Sequence, residues 1–162
     1  MIHSLLIGLV GGMRSMTPLA AVALTARNGT LPRDNGAPHL LADPLVVAGL
    51  VALAAGELGA DKWRKAPDRI IAPGIAARVV TGAVAGAALA PKDQRATAAA
   101  LGAIGAVASA FVTFNLRIRS MEEHSQLATG LVEDALVLGA TAAIIQSASA
   151  RQEDRHDLDW QR

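Results

Sequence analysis

The chain has 162 residues, with fifteen basic and fourteen acidic side chains, four histidines and no cysteine. The length fits one domain, the lack of cysteine excludes disulfide scaffolds, thiol catalysis and Cys-based zinc sites, and the near balance of charge argues against a nucleic-acid binder. Apolar residues make up 52% but aromatics only 2%, while Ala and Gly supply 35 and 15 residues, so the chain lacks the large apolar groups from which a soluble core draws its burial energy.

A transmembrane helix needs about 20 mostly apolar residues. Residues 2–26 are long enough but carry Arg14 near the middle and Pro18 just beyond. Residues 45–59 are short and hold Glu57, and residues 70–90 hold Arg78 after the breaker pair Pro73-Gly74. Residues 97–116 have no charge and stop before Arg117 and Arg119. Residues 127–150 contain Glu133 and Asp134. The pattern predicts an all-α fold: a polytopic membrane helix bundle of about five spans over residues 1–150, with a broken or kinked first helix, followed by a polar, exposed C-terminal tail over 151–162. The mean hydropathy of +0.35 is low for such a chain, because Ala and Gly are only mildly apolar and because the loop at 27–43 and the tail are polar. Against a soluble Ala-rich bundle, residues 46–56 have no polar position, so they lack the polar face that a soluble helix shows with period 3.6.

With five spans, Lys62, Arg64, Lys65, Arg69, Arg117 and Arg119 share one side. Arg27, Arg33, Lys92, Arg95, Arg151, Arg155 and Arg162 share the other, so counting basic residues leaves the orientation open. No Lys or Arg precedes the first apolar run, and Arg14 and Pro18 interrupt it, which argues against a cleaved signal sequence.

Lipid supplies little drive for helices to associate, so small residues must let their backbones approach. Small-xxx-small stripes recur at Gly8 and Gly12; at Ala48, Ala52, Gly56 and Ala60; at Gly74, Gly82, Gly86 and Ala90; at Gly102, Ala106 and Ala110; and at Ala135, Gly139 and Ala143. They predict a tight bundle that also forms a homo-oligomer, for instance a dimer.

Ionisable groups within a span cost about 2.5–3.5 kcal/mol each on insertion scales and normally face partners or water. Arg14 and Arg78 are therefore expected to pair with Glu57, Glu133 and Asp134, with Asp61 and Lys62 at the end of the second segment as structural neighbours. The run from Gly11 to Leu19 carries the most information. Pro18 fits poorly inside a continuous helix and well as the first residue of a new one with Thr17 as N-cap, while Gly11-Gly12 would end the preceding stretch. The free N–H groups near Thr17 and Pro18, beside Arg14, then resemble an anion site. A kinked helix repaired by Ser15 or Thr17 is the structural alternative. Short matches, Gly8 to Gly11 with Gly102 to Gly105 and Gly49 to Val51 with Gly130 to Val132, also suggest an inverted repeat.

These motifs resemble a family of small bacterial membrane proteins classed as domain of unknown function 4126. The residues that carry the likeness are Gly11-Gly12-Met13-Arg14-Ser15-Met16-Thr17-Pro18-Leu19-Ala20, Gly56-Glu57-Leu58-Gly59-Ala60-Asp61-Lys62, Ala66-Pro67-Asp68-Arg69 with Pro73-Gly74 and Ala77 to Gly82, and Val132-Glu133-Asp134-Ala135-Leu136. Trp63-Arg64-Lys65 departs from the family's shorter link. The resemblance implies a multi-pass protein of the bacterial inner membrane and brings no established activity.

The expected function is that of a small channel or transporter for a small anion or a proton-coupled solute. Arg14, Ser15, Thr17, Glu57, Arg78, Glu133 and Asp134 would contact the solute, and Gly11, Gly12, Pro18, Gly82 and Gly86 would shape the helices. A non-catalytic membrane subunit or scaffold, whose charge pairs only set helix register, is the alternative. An enzyme acting on lipid-linked substrates with carboxylates as acid and base is a third reading. It lacks support from His3, His39, His124 and His156, which are dispersed, and no cofactor or metal is expected.

Overall fold

The computed structural model describes the backbone of residues 1–32, 34–60, 72–123 and 126–160, and the side chains of residues 1–32, 34–59, 72–116 and 130–151. Among the described residues there are six α-helices and no strand: α1 (Ile2–Met13), α2 (Met16–Arg27), α3 (Pro44–Ala60), α4 (Ala72–Ala88), α5 (Arg95–Glu123) and α6 (Gln126–Trp160). Single 3-10 turns at His39–Ala42 and Lys92–Gln94 precede α3 and α5. Asp61 and Lys62 lie outside the described residues.

Local chemistry sets several helix ends. The Asp43 carboxylate accepts from the N–H groups of Leu45 (2.8 Å) and Val46 (3.2 Å), and Pro44 fills the first helical position, where its missing N–H costs nothing. At the other end of α2, Gly29 takes φ +67°. Its N–H bonds Ala26 O and that of Thr30 bonds Thr25 O, the paired bonds by which a left-handed residue closes a helix C-terminus.

Helix α5 forms the middle of the bundle, between α1 and α4. A Cβ on Gly82 would fall 2.7 Å from Gly102 O and 2.8 Å from the Ala106 Cβ, and one on Gly86 would fall 2.6 Å from Ala98 O. Gly8 meets the Gly102 backbone, Gly12 meets Ala106, Ser109 and Ala110, and a Cβ on Gly105 would fall 2.8 Å from Leu5 O. The stripes expected on the first, third and fourth apolar segments are thus mutual contacts, because only residues without a Cβ let three helix backbones come this close. Gly11 and Gly12 do not end the first helix. They are helical, and Gly12 lies against α5. The stripes on α3 and α6 behave differently: Ala48, Ala52, Ala135 and Ala143 are exposed, and a Cβ added to Gly56 or Gly139 would meet nothing within 4 Å among the described residues.

The first apolar segment breaks at Arg14, whose φ of −138° and ψ of 112° are extended. Ser15 then starts α2 as its N-cap. The new helix therefore begins two residues before the expected Thr17-Pro18 boundary, and Pro18 occupies its third position, where a missing N–H is still harmless. Beyond the break the chain turns back. α1 runs parallel to α5, since Gly8 meets Gly102 and Gly12 meets Ala106 and Ser109. After α2, the N–H of Gly36 bonds Ala90 O (2.7 Å), at the turn that leads into α5, and Ser149 Oγ bonds Thr30 O near the far end of α6 (3.2 Å). α1 and α2 are therefore two arms of a hairpin with Arg14 and Ser15 at its tip, each arm about 18 Å long at 1.5 Å per residue.

The parallel course of α1 and α5 also removes the expected inverted repeat, in which these two helices would run in opposite directions. The likeness of Gly8 to Gly11 and Gly102 to Gly105 has a simpler cause: the two stretches are the two halves of one crossing. The backbone of α6 stays helical beyond Arg151, to Trp160.

An apolar core that includes Ile7, Val22, Leu89 and Val137 is buried between the helices, and large apolar side chains also lie on the outside. Every helix exposes large apolar side chains, including Ile2 and Leu6 on α1, Leu24 on α2, Leu53 on α3, Val80 on α4, Ile104 and Val112 on α5, and Leu136 and Leu138 on α6. The largest fully buried side chain among the described residues is Arg14. By length and composition, Lys92–Leu116 and Gly130–Arg151 are able to cross a membrane, and the apolar helices Ile2–Met13, Pro44–Gly59 and Ala72–Ala88 are shorter.

Candidate functional site

The tip of the α1–α2 hairpin exposes two sets of backbone groups that a continuous helix would have satisfied: the last carbonyls of α1 and the first N–H groups of α2. Neighbouring helices supply side chains to both. From α4, Arg78 Nε donates to Gly12 O (3.2 Å) and Nη1 donates to Gly74 O in its own first turn (3.0 Å). From α5, Ser109 Oγ donates a short bond to Leu9 O.

From α3, the Glu57 carboxylate covers the start of α2. Its Oε1 accepts from the Ser15 N–H (2.8 Å) and the Ser15 hydroxyl (3.1 Å), and Oε2 accepts from the Met16 N–H (2.9 Å). This is an N-cap delivered by another helix. It also sets a negative charge at the positive end of the α2 dipole, while Arg78 sets a positive charge at the negative end of the α1 dipole.

Arg14 lies between the two caps, only 1% exposed. Its Nη1 donates to the backbone carbonyl of Glu57 (3.3 Å). Its Nη2 is 2.6 Å from Asp134 Oδ1 and 4.0 Å from Glu133 Oε2 on α6. Through the chain break Arg78 and Glu57 adjoin Arg14, which joins Glu133 and Asp134, so among the described residues five ionisable groups, two basic and three acidic, gather at the tip.

The structure thus gathers six of the seven expected contact residues: Arg14, Ser15, Glu57, Arg78, Glu133 and Asp134. Thr17, the seventh, is not the cap. It sits in the first turn of α2, 5% exposed, and its hydroxyl has no hydrogen-bond partner among the described residues. Of the two adjacent acids, Asp134 makes the close pair with Arg14, as the 100° step between neighbouring helical residues requires of one of them. Gly12 enters through its carbonyl as well as its lack of a side chain. Gly82 and Gly86 act at a distance by bringing α4, and with it Arg78, against α5.

Sequence reasoning missed the roles of Ser109 and the Met16 N–H. Ser109 was discoverable as the polar residue deep within the uncharged 97–116 stretch. Met16 contributes only its backbone, which no side-chain pattern announces.

The chain matches no family model, no curated protein and no solved structure. What the fold and the site define is a class only: a protein whose described residues are helical, with two helices among them able to span a membrane by length and composition, and a buried charge cluster at the tip of a helical hairpin.

Proposed function

We propose that this chain is a small multi-pass protein of the bacterial inner membrane that moves a small anion, or a solute coupled to protons, past the tip of its α1–α2 hairpin. On this reading α3, α4, α5 and α6 cross the bilayer and the hairpin enters and leaves by one face, so four crossings and a re-entrant element replace five spans. The observation that carries the reading is the fully buried Arg14 at the junction of two half-helices, inside a bundle whose helices expose many large apolar side chains. Irregular backbone at membrane depth is tolerated where it is enclosed in protein or lines a path for solute, and ionisable groups there mark such paths. The family that the motifs resemble is compatible with this architecture and brings no activity of its own.

The test is solute flux in proteoliposomes. Flux of a small anion that falls in Arg14→Ala and changes its pH dependence in Glu57→Gln supports transport. Variants that fold normally and leave every screened flux unchanged eliminate it.

One observation favours a scaffold instead. The carbonyl of Gly12 and the N–H groups of Ser15 and Met16 are all satisfied within the chain, as a structural lock would require. A lock predicts that exchanging the pair, Arg14→Asp with Asp134→Arg, restores assembly, and that no flux accompanies either form.

A further inference from the structure

A cavity of about 370 Å³ lies between the loop that follows α2 and the turn that leads from α4 into α5. The chain holds its walls in place. The Gly36 N–H bonds Ala90 O (2.7 Å) and so pins the loop to the turn. Only a residue without a Cβ allows this approach, since a Cβ there would fall 2.6 Å from Ala87 O and 2.9 Å from the Arg95 Cβ. Asn35 braces the same stretch: its Nδ2 donates to Pro32 O (2.7 Å), and its Oδ1 accepts from the Ala37 N–H (3.0 Å). The 3-10 turn at His39–Ala42 completes the wall.

Two kinds of surface meet in the cavity. Lys92 from the turn and His39 from the loop both line it, and none of the described residues that line it is acidic. Among the described residues, neither of these two side chains makes a hydrogen bond or ion pair. The acids next in sequence have other partners: Asp43 holds the start of α3, and Asp93 accepts from Gln94 Nε2 (3.4 Å). The rest of the lining is largely apolar, with Leu31, Pro32, Ala37 and Pro38. We propose that this cavity binds an anionic phosphate ester, the chemistry that an acidic phospholipid headgroup and a free phosphorylated solute share. The Lys92 ammonium supplies a positive charge with three donors, and the His39 imidazole supplies an N–H in either protonation state. The apolar wall suits the organic part of an ester better than a bare ion, and the volume falls within the range of about 300–1,000 Å³ usual for small-molecule pockets. On the membrane reading above, the cavity opens at the face that Gly29 and Asp93 share, at the level of lipid headgroups. From Met16 to Ala26, which lines the cavity, α2 rises about 15 Å, so this site is separate from the charge cluster and does not depend on transport.

Thermal unfolding of the full-length protein in an uncharged detergent tests the proposal, with dioctanoyl phosphatidylglycerol and glycerol 3-phosphate as probes. A saturable rise in Tm is expected with at least one of them. A rise with the lipid alone assigns the site to a headgroup, and a rise with glycerol 3-phosphate as well assigns it to phosphate esters from either source. Sodium chloride at equal ionic strength and the zwitterion dioctanoyl phosphatidylcholine should not reproduce it. Lys92→Ala with His39→Ala, both at exposed positions, should leave the Tm without ligand close to that of wild type. It should weaken the response about tenfold or more, as the loss of charge-assisted hydrogen bonds implies. Lys92→Arg, which keeps the charge, should retain the response. Ala42→Trp keeps both donors but fills the cavity, and it should abolish a response that diffuse surface charge would leave intact. No saturable response to either probe, an equal response to chloride or phosphatidylcholine, or binding that survives Ala42→Trp or the double variant overturns the proposal.

Discussion

Arg78 and Glu57 close the same chain break from opposite sides, the guanidinium 3.2 Å from Gly12 O at the end of α1 and the carboxylate 2.8 Å from the Ser15 N–H at the start of α2. Each charge is opposite in sign to the half-helix end it meets, so the two dipoles and the two side chains reinforce one another. Water would do the same work at a surface. Away from water, an uncovered N–H or carbonyl costs on the order of several kcal/mol, which explains why two ionisable residues from two other helices converge on one short turn.

Removing either cap should therefore destabilise the protein strongly. Arg78→Ala leaves Gly12 O without its donor and the three acids with one cation fewer, and the expected loss is about 3–5 kcal/mol, the range for breaking a buried charge network. Arg78→Lys should recover only part of it, since a single ammonium replaces a fork that reaches two carbonyls. Denaturant titration in detergent measures both.

Asp134 and Glu133 should contribute unequally to holding Arg14. With 2.6 Å against 4.0 Å to the same nitrogen, a double-mutant cycle should give a larger coupling for Arg14 with Asp134 than with Glu133. Couplings between residues in direct contact run to about 0.5–3 kcal/mol. Equal couplings would contradict the geometry.

The glycines of α5 should resist even a methyl group. Gly102→Ala sets a Cβ against Gly82 O and 3.1 Å from the Gly86 Cα, and the overpacking cost of about 1–3 kcal/mol should exceed the gain of about 1 kcal/mol in helix propensity. Gly139→Ala, with nothing within 4 Å, should be neutral or slightly stabilising in the protomer. If the outward stripe on α6 joins two copies, Gly139→Leu should lower the oligomeric mass seen by size-exclusion chromatography with light scattering.

On the proposed membrane reading, the hairpin puts Ile2, Gly29 and Asp93 on one face. Because the chain has no cysteine, single cysteines are unambiguous probes. Ile2→Cys, Gly29→Cys and Asp93→Cys should all react with an impermeant thiol reagent from the same side of oriented vesicles. A first segment that crossed the bilayer would place Ile2→Cys on the side opposite Gly29→Cys.

Much of the charge cluster was legible from residue type alone, because Arg14, Glu57, Arg78, Glu133 and Asp134 stand in stretches where ionisable groups are expensive. The break was legible too, but not its position. Pro18 points to a helix start with Thr17 as the cap, whereas the actual start depends on Glu57 reaching across from α3, and no local pattern records a cap that comes from another helix. The reversal at Arg14 was invisible for the same reason: a breaker says that a rod ends and is silent on the direction taken afterwards. Small-residue stripes show the converse limit. Those of Gly8 and Gly102 and those of Ala48 and Ala135 read alike in sequence, and only the assembled bundle separates the inward from the outward.

The length of the hairpin arms has an electrical consequence. An arm of about 18 Å ends well inside a hydrocarbon layer of about 30 Å, so Arg14 would stand where a resting membrane potential has fallen by only part of its value. Carrying one elementary charge through a full 100 mV is worth about 2.3 kcal/mol. Any rearrangement that shifts the Arg14 guanidinium or the Glu57 carboxylate along the bilayer normal would then move charge through the field, and voltage would bias which arrangement of the tip prevails.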